Sequence, residues 1–190
     1  MKITDKKKAI LDTALTLFVE QGFHATSTAA IARGAGVATG TLFHHFPSKE
    51  ALMEYLFLNI KQEFADAIKS SMNPDDGLKA NARNLWFSAL EWAANNPVKQ
   101  HFFQLYSLSP TIATELREQA MNSILGFITD LIKQGQAKAM IADYPIKLMQ
   151  DNCHGQFLAA TRYFSDNPDY WHIDSHKQAS FKLFWHAIAS

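Results

Sequence analysis

The chain has 190 residues, of which 47% are hydrophobic and 12% are aromatic, so it can bury a sizeable core. Its 18 basic and 18 acidic residues cancel, which excludes a polycation that binds nucleic acid by charge alone. Residues 1–50 carry six basic and four acidic residues, a net charge of +2, and the remainder carries −2. This bias toward a positive N-terminal segment is too small to assign a function.

Cys153 is the only cysteine, so the chain has no intrachain disulfide and no cysteine-based zinc site. A reducing cytoplasm is the natural compartment for such a chain. The first 18 residues interrupt their apolar positions with charge, unlike a signal peptide, and no apolar run of membrane-spanning length follows. We therefore expect a cytoplasmic protein with no membrane partner.

In chain order, residues 4–21 form the first predicted helix, which is amphipathic. Residues 27–49 follow and divide into two short helices around Gly34-Ala35-Gly36. Ser27 can cap the first short helix, and the glycines permit the positive φ of a tight corner. Two helices joined in this way make a helix-turn-helix, whose second helix can enter the major groove of DNA.

The rest of the chain also shows helical periodicity and no alternating strand pattern. An all-α fold of about nine helices is therefore predicted. Residues 1–50 form the predicted helix-turn-helix domain, which continues into a linking helix, 48–71, and residues 51–190 form a predicted helical body. The later helices are predicted at residues 73–95, 97–106, 110–135, 145–164 and 174–189.

The first quarter of the chain resembles the DNA-binding domain of the TetR (tetracycline repressor) family. The resemblance runs from about residue 7 to residue 53 and is specific, because many residues agree in order and spacing. They are Leu17-Phe18, Gly22-Phe23, Thr26-Ser27, Ile31-Ala32, Ala35-Gly36-Val37, Gly40-Thr41-Leu42-Phe43, His45-Phe46, Ser48-Lys49-Glu50 and Leu52.

The resemblance implies a DNA-binding transcriptional regulator, most simply a repressor that a small ligand releases from a palindromic operator in double-stranded DNA. It implies a DNA-binding domain in residues 1–50 and an effector-binding and dimerisation domain in residues 51–190. It implies base-edge contacts from Thr39, Thr41 and His44. It also implies phosphate contacts from Ser27, Thr28, His45 and Lys49. Lys49 has independent support, because a cation in the first turn of a helix is disfavoured unless an anion lies nearby.

Three positions depart from the family pattern. Phe43, which we include among the predicted DNA-binding residues, stands where the family usually has a tyrosine. Its ring lacks the tyrosine hydroxyl. Ala38 replaces the usual capping serine, which removes about 1 kcal/mol of helix stability. Ala30 stands where an acidic residue is common. These departures do not change the predicted fold, but they make the operator sequence hard to infer.

Aromatic side chains are abundant in the body, and they either fill the core or line an effector pocket for an apolar or aromatic small molecule. The family usually holds its effector among these helices, and we take the pocket as the expectation. The candidate ligand-binding residues are Trp86, Phe87, Phe102, Phe103, Tyr106, Met121, His154 and Phe157.

A homodimer is expected, because one head reads one half-site and a palindromic operator needs two. As in the family, the last two helices are the expected interface. Its candidate residues are Leu148, Phe164, Leu183, Phe184 and Ala187.

Two further pairs could carry chemistry, but neither is assigned a site. His172 and His176 have one-turn spacing, yet a metal ion needs more ligands, and surface histidines are the simpler interpretation. Cys153 and His154 are adjacent on a helix and point in different directions, which disfavours a nucleophile and base. We predict no catalytic residue, metal or cofactor. The alternative function is a helical ligand-binding protein or small enzyme with a relic DNA-binding head.

Overall fold

The computed structural model describes residues 3–190, with side chains from Asp5 onward. Lys2, counted among the basic residues of the head, lies outside the described residues. The all-α prediction is confirmed. The described residues contain ten α-helices and no strand, apart from one isolated antiparallel bridge between Ile141 and Ala189.

The helices follow the predicted segments closely, and most of their ends fall within two residues of the predicted ones. They are α1 (Ile3–Gln21), α2 (Thr28–Gly34), α3 (Thr39–His45), α4 (Lys49–Lys69), α5 (Leu78–Asn95), α6 (Pro97–Tyr106), α7 (Thr114–Gln119), α8 (Gly126–Ala137), α9 (Ile146–Asp166) and α10 (Asp174–Ile188). None of the described helices is long and apolar enough to cross a membrane.

The loop before α5 differs from the predicted helix start at residue 73. The side chain of Asn81 reaches back from α5 and pairs with both backbone groups of Asn73, at 2.9 Å each. It also donates to the carbonyl of Asp76 at 3.2 Å. This buried amide satisfies the loop, so residues 73–77 form turns and the helix begins only at Leu78.

The predicted helix 110–135 is interrupted, which gives ten α-helices where nine were expected. Its first residues form a turn in which the Arg117 guanidinium donates to the carbonyl of Ser109 at 3.0 Å. After α7, residues Ala120–Ile124 widen into one π-helical turn, closed by a bond from Leu125 N–H to the carbonyl of Ala120. Helical periodicity persists across such a turn, so the sequence pattern does not show it.

The described residues divide into two compact units. The first contains residues up to Lys61 together with Pro97–Glu118, and the second contains Gln62–Asn96 and Gln119–Ser190. The first unit contains more than residues 1–50, because α6 packs on α1. The Tyr106 hydroxyl donates to the carbonyl of Phe18 at 2.7 Å and ties the two helices together.

Gly135 is closely packed against its neighbours in the second unit. A Cβ atom built there would overlap the side chain of Ile141 and would lie 2.8 Å from Leu78 Cδ2. We expect Gly135→Ala to lower the free energy of unfolding by about 1–3 kcal/mol, because the crowded neighbours must shift. Urea denaturation measures it. Gly126→Ala is the control, because a Cβ there meets nothing within 4 Å. Equal stability of the two variants would contradict the prediction.

Candidate functional site

The corner between α2 and α3 is fixed by local hydrogen bonds and by a buried pair. The Ser27 hydroxyl accepts from Ala30 N–H at 3.1 Å and caps α2, as predicted from the sequence. Gly36 adopts φ +65°, a conformation that side chains rarely take. Ile31 on α2 and Leu42 on α3 are fully buried, so both helices are anchored in the core of the first unit.

The outer face of α3 is left open to solvent. Thr39 and His44 are exposed, and Thr41 and His45 are half-buried. Phe43 is 44% exposed, so this aromatic ring also lies at the surface. Ala38 gives α3 no side-chain cap, as its sequence implied. Hydroxyl and imidazole groups on an exposed short helix can reach base edges and phosphates.

The remaining predicted DNA contacts lie beside this face or turn inward. Thr28 at the start of α2 is half-buried and Ser27 is exposed. Lys49 differs, because its ammonium donates to the carbonyls of Phe23 and Thr26 at 2.8 and 3.0 Å and lies over the Phe23 ring. These two carbonyls stabilise a cation at the start of α4, where the helix dipole would otherwise disfavour it. Lys49 therefore holds the turn after α1 in the protein without DNA, and its phosphate contact stays a prediction.

Replacing Lys49 distinguishes its role in the turn from the predicted phosphate contact. We expect Lys49→Met to lower the free energy of unfolding by about 2 kcal/mol, because two carbonyls lose a charged donor. Thermal denaturation measures the change. Lys8→Met is the control, because the exposed pair of Lys8 with Asp12 contributes at most about 0.5 kcal/mol. Unchanged stability, together with a DNA affinity whose salt slope falls by about one charge, would restore the phosphate contact.

Another lysine of the head is also committed to internal contacts. The Lys7 ammonium on α1 lies 3.9 Å from the centre of the Tyr55 ring and 5.6 Å from that of Phe46. Such cation–π contacts brace α1 against the start of α4. The small positive bias of residues 1–50 is therefore partly used within the head itself.

The predicted ligand-binding residues divide between the two units. Phe102, Phe103 and Tyr106 belong to the first unit, where all three are buried on α6. Burial raises the pKa of Tyr106, so its hydroxyl keeps the proton that it donates to the carbonyl of Phe18. These rings help to build the core of the first unit around α1.

The other five predicted ligand-binding residues lie in the second unit. The Trp86 ring stacks on Phe184 at 4.4 Å, and its N–H donates to the Ser180 hydroxyl at 3.1 Å. The ring of Phe87 lies 6.0 Å from that of Phe181 on the same helix α10. Trp86 and Phe87 therefore pack α5 against α10.

Phe157 belongs to a different cluster. Its ring on α9 lies 5.3 Å from that of Phe64 on α4, and Phe64 lies 5.1 Å from Trp92 on α5. Met121 in the π-helical turn and His154 on α9 are half-buried. The structure thus brings Phe157 together with the last turns of α4.

The predicted dimer-interface residues differ in how exposed their side chains are. Leu148 on α9 and Leu183 on α10 are 61% and 72% exposed, and Ala187 is exposed beside Leu183. Phe164 is buried with its ring edge-on to Trp171, and Phe184 is half-buried on Trp86. Of these five residues, Leu148, Leu183 and Ala187 are the exposed ones.

The two minor pairs gain no chemistry from the fold. Burial raises the pKa of the Cys153 thiol to about 11, so it is not a thiolate at neutral pH. His176 has its Nδ1 at 2.5 Å from the Tyr163 hydroxyl. Across residues 3–190, no group of three or more histidine, cysteine or carboxylate side chains could hold a metal ion.

Comparison with known proteins agrees with this arrangement. The family "Bacterial regulatory proteins, tetR family" matches residues 10–56. The crystal structure of a tetR family transcription regulator from Shewanella sp. PV-4 is 65% identical, covers 97% of this chain and 98% of its own, and superposes with a TM-score of 0.96.

Two curated relatives are more distant. The HTH-type transcriptional regulator YhgD of Bacillus subtilis is 29% identical over 132 residues, which is 69% of each chain. The HTH-type transcriptional repressor KstR2 of Mycobacterium tuberculosis is 34% identical over 82 residues, and this match spans 41% of each chain. All three proteins are named as regulators of transcription, which does not favour the alternative of a helical ligand-binding protein or small enzyme with a relic DNA-binding head. The chain therefore belongs to the TetR family and is a DNA-binding transcriptional regulator of the helix-turn-helix type.

Proposed function

We propose that the protein is a repressor that leaves a palindromic operator when a small apolar or aromatic molecule binds it. The observation that carries the proposal is the exposed polar face of α3, held on a buried corner by Ile31 and Leu42. A rigid helix with an open outer face is suited to dock in a major groove. The repressor KstR2, similar over 82 residues, supports repression rather than activation.

In this proposal the residues of the head have distinct roles. Thr39, Thr41 and His44 read base edges, and Phe43 adds apolar surface beside them. Ser27, Thr28 and His45 contact phosphates and set the register of the head on DNA. Lys49 supports the head from within.

The repressor acts as a homodimer in which α9 and α10 of each protomer form a four-helix interface. Leu148, Leu183 and Ala187 supply its exposed apolar contacts. A palindrome presents two half-sites whose centres lie about 34–36 Å, or a multiple of that, apart. The dimer sets this spacing, so the relative position of the two heads controls affinity.

The effector acts through α4, which begins four residues after the end of α3, the helix that enters the major groove in this proposal. The last turns of α4 lie in the aromatic cluster of Phe64, Trp92 and Phe157. A ligand that packs against Phe157 shifts the last turns of α4, and the shift changes the spacing of the heads. For hundredfold release the ligand must prefer the misfit state by about 2.7 kcal/mol. Burial of about 100 Å² of additional apolar surface supplies that difference.

The test is a gel shift with DNA from beside the protein's own gene. We expect a dimer-sized complex on a palindromic segment and weaker complexes on scrambled DNA. Apolar compounds that quench tryptophan fluorescence are then added to the complex, and at least one is expected to release the DNA. A monomer that shows no sequence preference would overturn the proposal.

Within this function, Thr41→Ala is expected to change which base is preferred at one position of each half-site. A lost hydroxyl contact costs about 1 kcal/mol, or about fivefold in affinity. The slope of affinity against salt concentration stays the same, because no phosphate contact is removed. Binding to a library of operator variants measures both, with Thr16→Ala on α1 as the control. A uniform loss across all sequences would contradict base reading by Thr41.

We also propose that the protein is cytoplasmic and carries out no catalysis. The similarity to DNA-binding regulators of transcription and the protonated Cys153 thiol support this assignment.

A further inference from the structure

Phe43 on α3 is an aromatic side chain whose ring lies at the surface of the head. The ring is 44% exposed. The rings that follow it, His44, His45, Phe46 and Tyr55, contact one another in turn, at centroid distances of 5.4, 6.4 and 5.5 Å. Among the described residues, Phe43 contacts no other ring and no cation. The fold of the head therefore supplies no aromatic or cationic partner for this ring.

Gly40 leaves the surface beside Phe43 open. The two residues are three positions apart on α3, so they are neighbours on the surface of that helix. A Cβ atom built at Gly40 meets no other described atom within 4 Å. Glycine inside a helix is less favourable than alanine, and it is used where another molecule approaches the backbone closely. This face of α3 is therefore shaped for close approach of a partner.

The chemistry of the phenyl ring limits what Phe43 can contact in DNA. The ring has no hydrogen-bonding group, so it cannot bind a phosphate oxygen or the donors and acceptors of a base edge. The base edges of the major groove present one apolar group, the 5-methyl group of thymine, and phenylalanine is among the side chains that contact it. Contact between the methyl group and the exposed ring removes apolar surface of both molecules from water.

An apolar wedge between stacked bases is the other use that DNA-binding proteins make of phenylalanine. Such wedges belong to proteins that bind in the minor groove and kink the duplex. α3 is the second helix of a helix-turn-helix, and that helix enters the major groove. The position of Phe43 therefore favours contact with a thymine methyl group over insertion between bases.

We propose that Phe43 is a specificity-determining residue that reads the 5-methyl group of one thymine in each half-site of the operator. This inference rests on the proposed function, in which α3 reads base edges, and it names a base that its hydroxyl and imidazole groups leave unassigned. It does not depend on which effector the protein binds.

The test removes this methyl group from the DNA and changes nothing else. The full chain first selects a duplex from a random library, and each thymine of the selected site is then replaced in turn by deoxyuridine. Replacement at one position is expected to lower the affinity about fourfold per half-site, as loss of one buried methyl group gives. Replacement at the other positions has little effect. Fluorescence anisotropy at constant salt measures each affinity.

Substitutions of the ring connect the methyl effect to Phe43. Phe43→Ala and Phe43→Gln are each expected to weaken binding to the thymine site by at least about fourfold per half-site and to make thymine and deoxyuridine equivalent. Phe43→Tyr keeps the ring and therefore keeps the difference. Val98→Ala is the matched control and also keeps the difference, because Val98 is likewise 44% exposed and lies in the same unit.

Equal affinities of the wild-type protein for all of the deoxyuridine sites would overturn the inference, and this comparison needs no variant to fold. A methyl effect that survives both Phe43→Ala and Phe43→Gln would also overturn it. In that case a loss of affinity on ring substitution would show a wedge or a backbone contact instead.

These outcomes are distinct from failure of the proposed function. A protein that selects one duplex but ignores the methyl group would lose this inference and keep operator binding. A protein that shows the methyl effect but is released by no compound would keep the inference and lose the proposed release by an effector. A protein that selects no sequence from the library would overturn base reading by α3, and the inference with it.

Discussion

Replacing Lys61 by methionine is expected to stabilise the protein by about 2 kcal/mol at pH 7. A pKa lowered from 10.5 to about 8 corresponds to about 3 kcal/mol of penalty for the buried charge. Methionine keeps the length of the side chain and removes that charge. The Lys61 ammonium lies 4.3 Å from the centre of the Phe103 ring and 5.6 Å from that of Phe57. Loss of these cation–π contacts offsets about 1 kcal/mol of the gain.

The stabilisation depends on pH in a defined direction. The folded protein releases the Lys61 proton at about pH 8, and the unfolded chain holds it until about pH 10.5. The unfolded state therefore binds more protons in this window, so wild-type stability gains from Lys61 as the pH rises from 8 toward 10.5. The advantage of Lys61→Met shrinks over the same window.

Urea denaturation of both proteins from pH 7 to pH 9.5 measures the difference. The raised pKa of Tyr106 lowers the stability of the folded protein as the pH rises, but only above the ordinary pKa of tyrosine. Both proteins share this effect. Lys69→Met serves as the control, with little change at any pH. A loss of stability on Lys61→Met would show that the buried ammonium has a stabilising partner, and would contradict this account.

The second large effect is expected at the proposed dimer interface. Leu183→Asp should weaken dimerisation by about 100-fold, because a carboxylate would be buried against apolar side chains of the partner. Loss of the dimer also removes the pairing of two heads, so affinity for a palindromic operator falls with it, and affinity for a single half-site does not change.

Leu108→Asp is a closely matched control. Leu108 is 74% exposed and Leu183 is 72% exposed, and the former lies in the first unit, outside α9 and α10. Sedimentation velocity over a concentration series measures the dimer in both variants. If Leu108→Asp dissociated the dimer and Leu183→Asp left it intact, the interface would lie elsewhere.

The sequence by itself determined the helical fold, the helix-turn-helix and the family. These features depend on neighbours a few residues apart. Ser27 caps α2 three residues away, Gly36 permits its own turn, and helical periodicity repeats within each segment. The spacing within α3 also predicts which of its residues face outward, because Leu42 is the one buried residue of that helix.

Tertiary structure decided the features that join distant parts of the chain. The Lys49 ammonium donates to carbonyls that lie 26 and 23 positions earlier in the chain. The Tyr106 hydroxyl donates to the carbonyl of Phe18, which is 88 positions away. A single sequence contains no pattern for such pairs, since any exposed-looking lysine or tyrosine could make them. The assignment of α6 to the first unit and the burial of Lys61 have the same cause. They depend on which helix packs against which, and helical periodicity shows only that a face is buried, not what covers it.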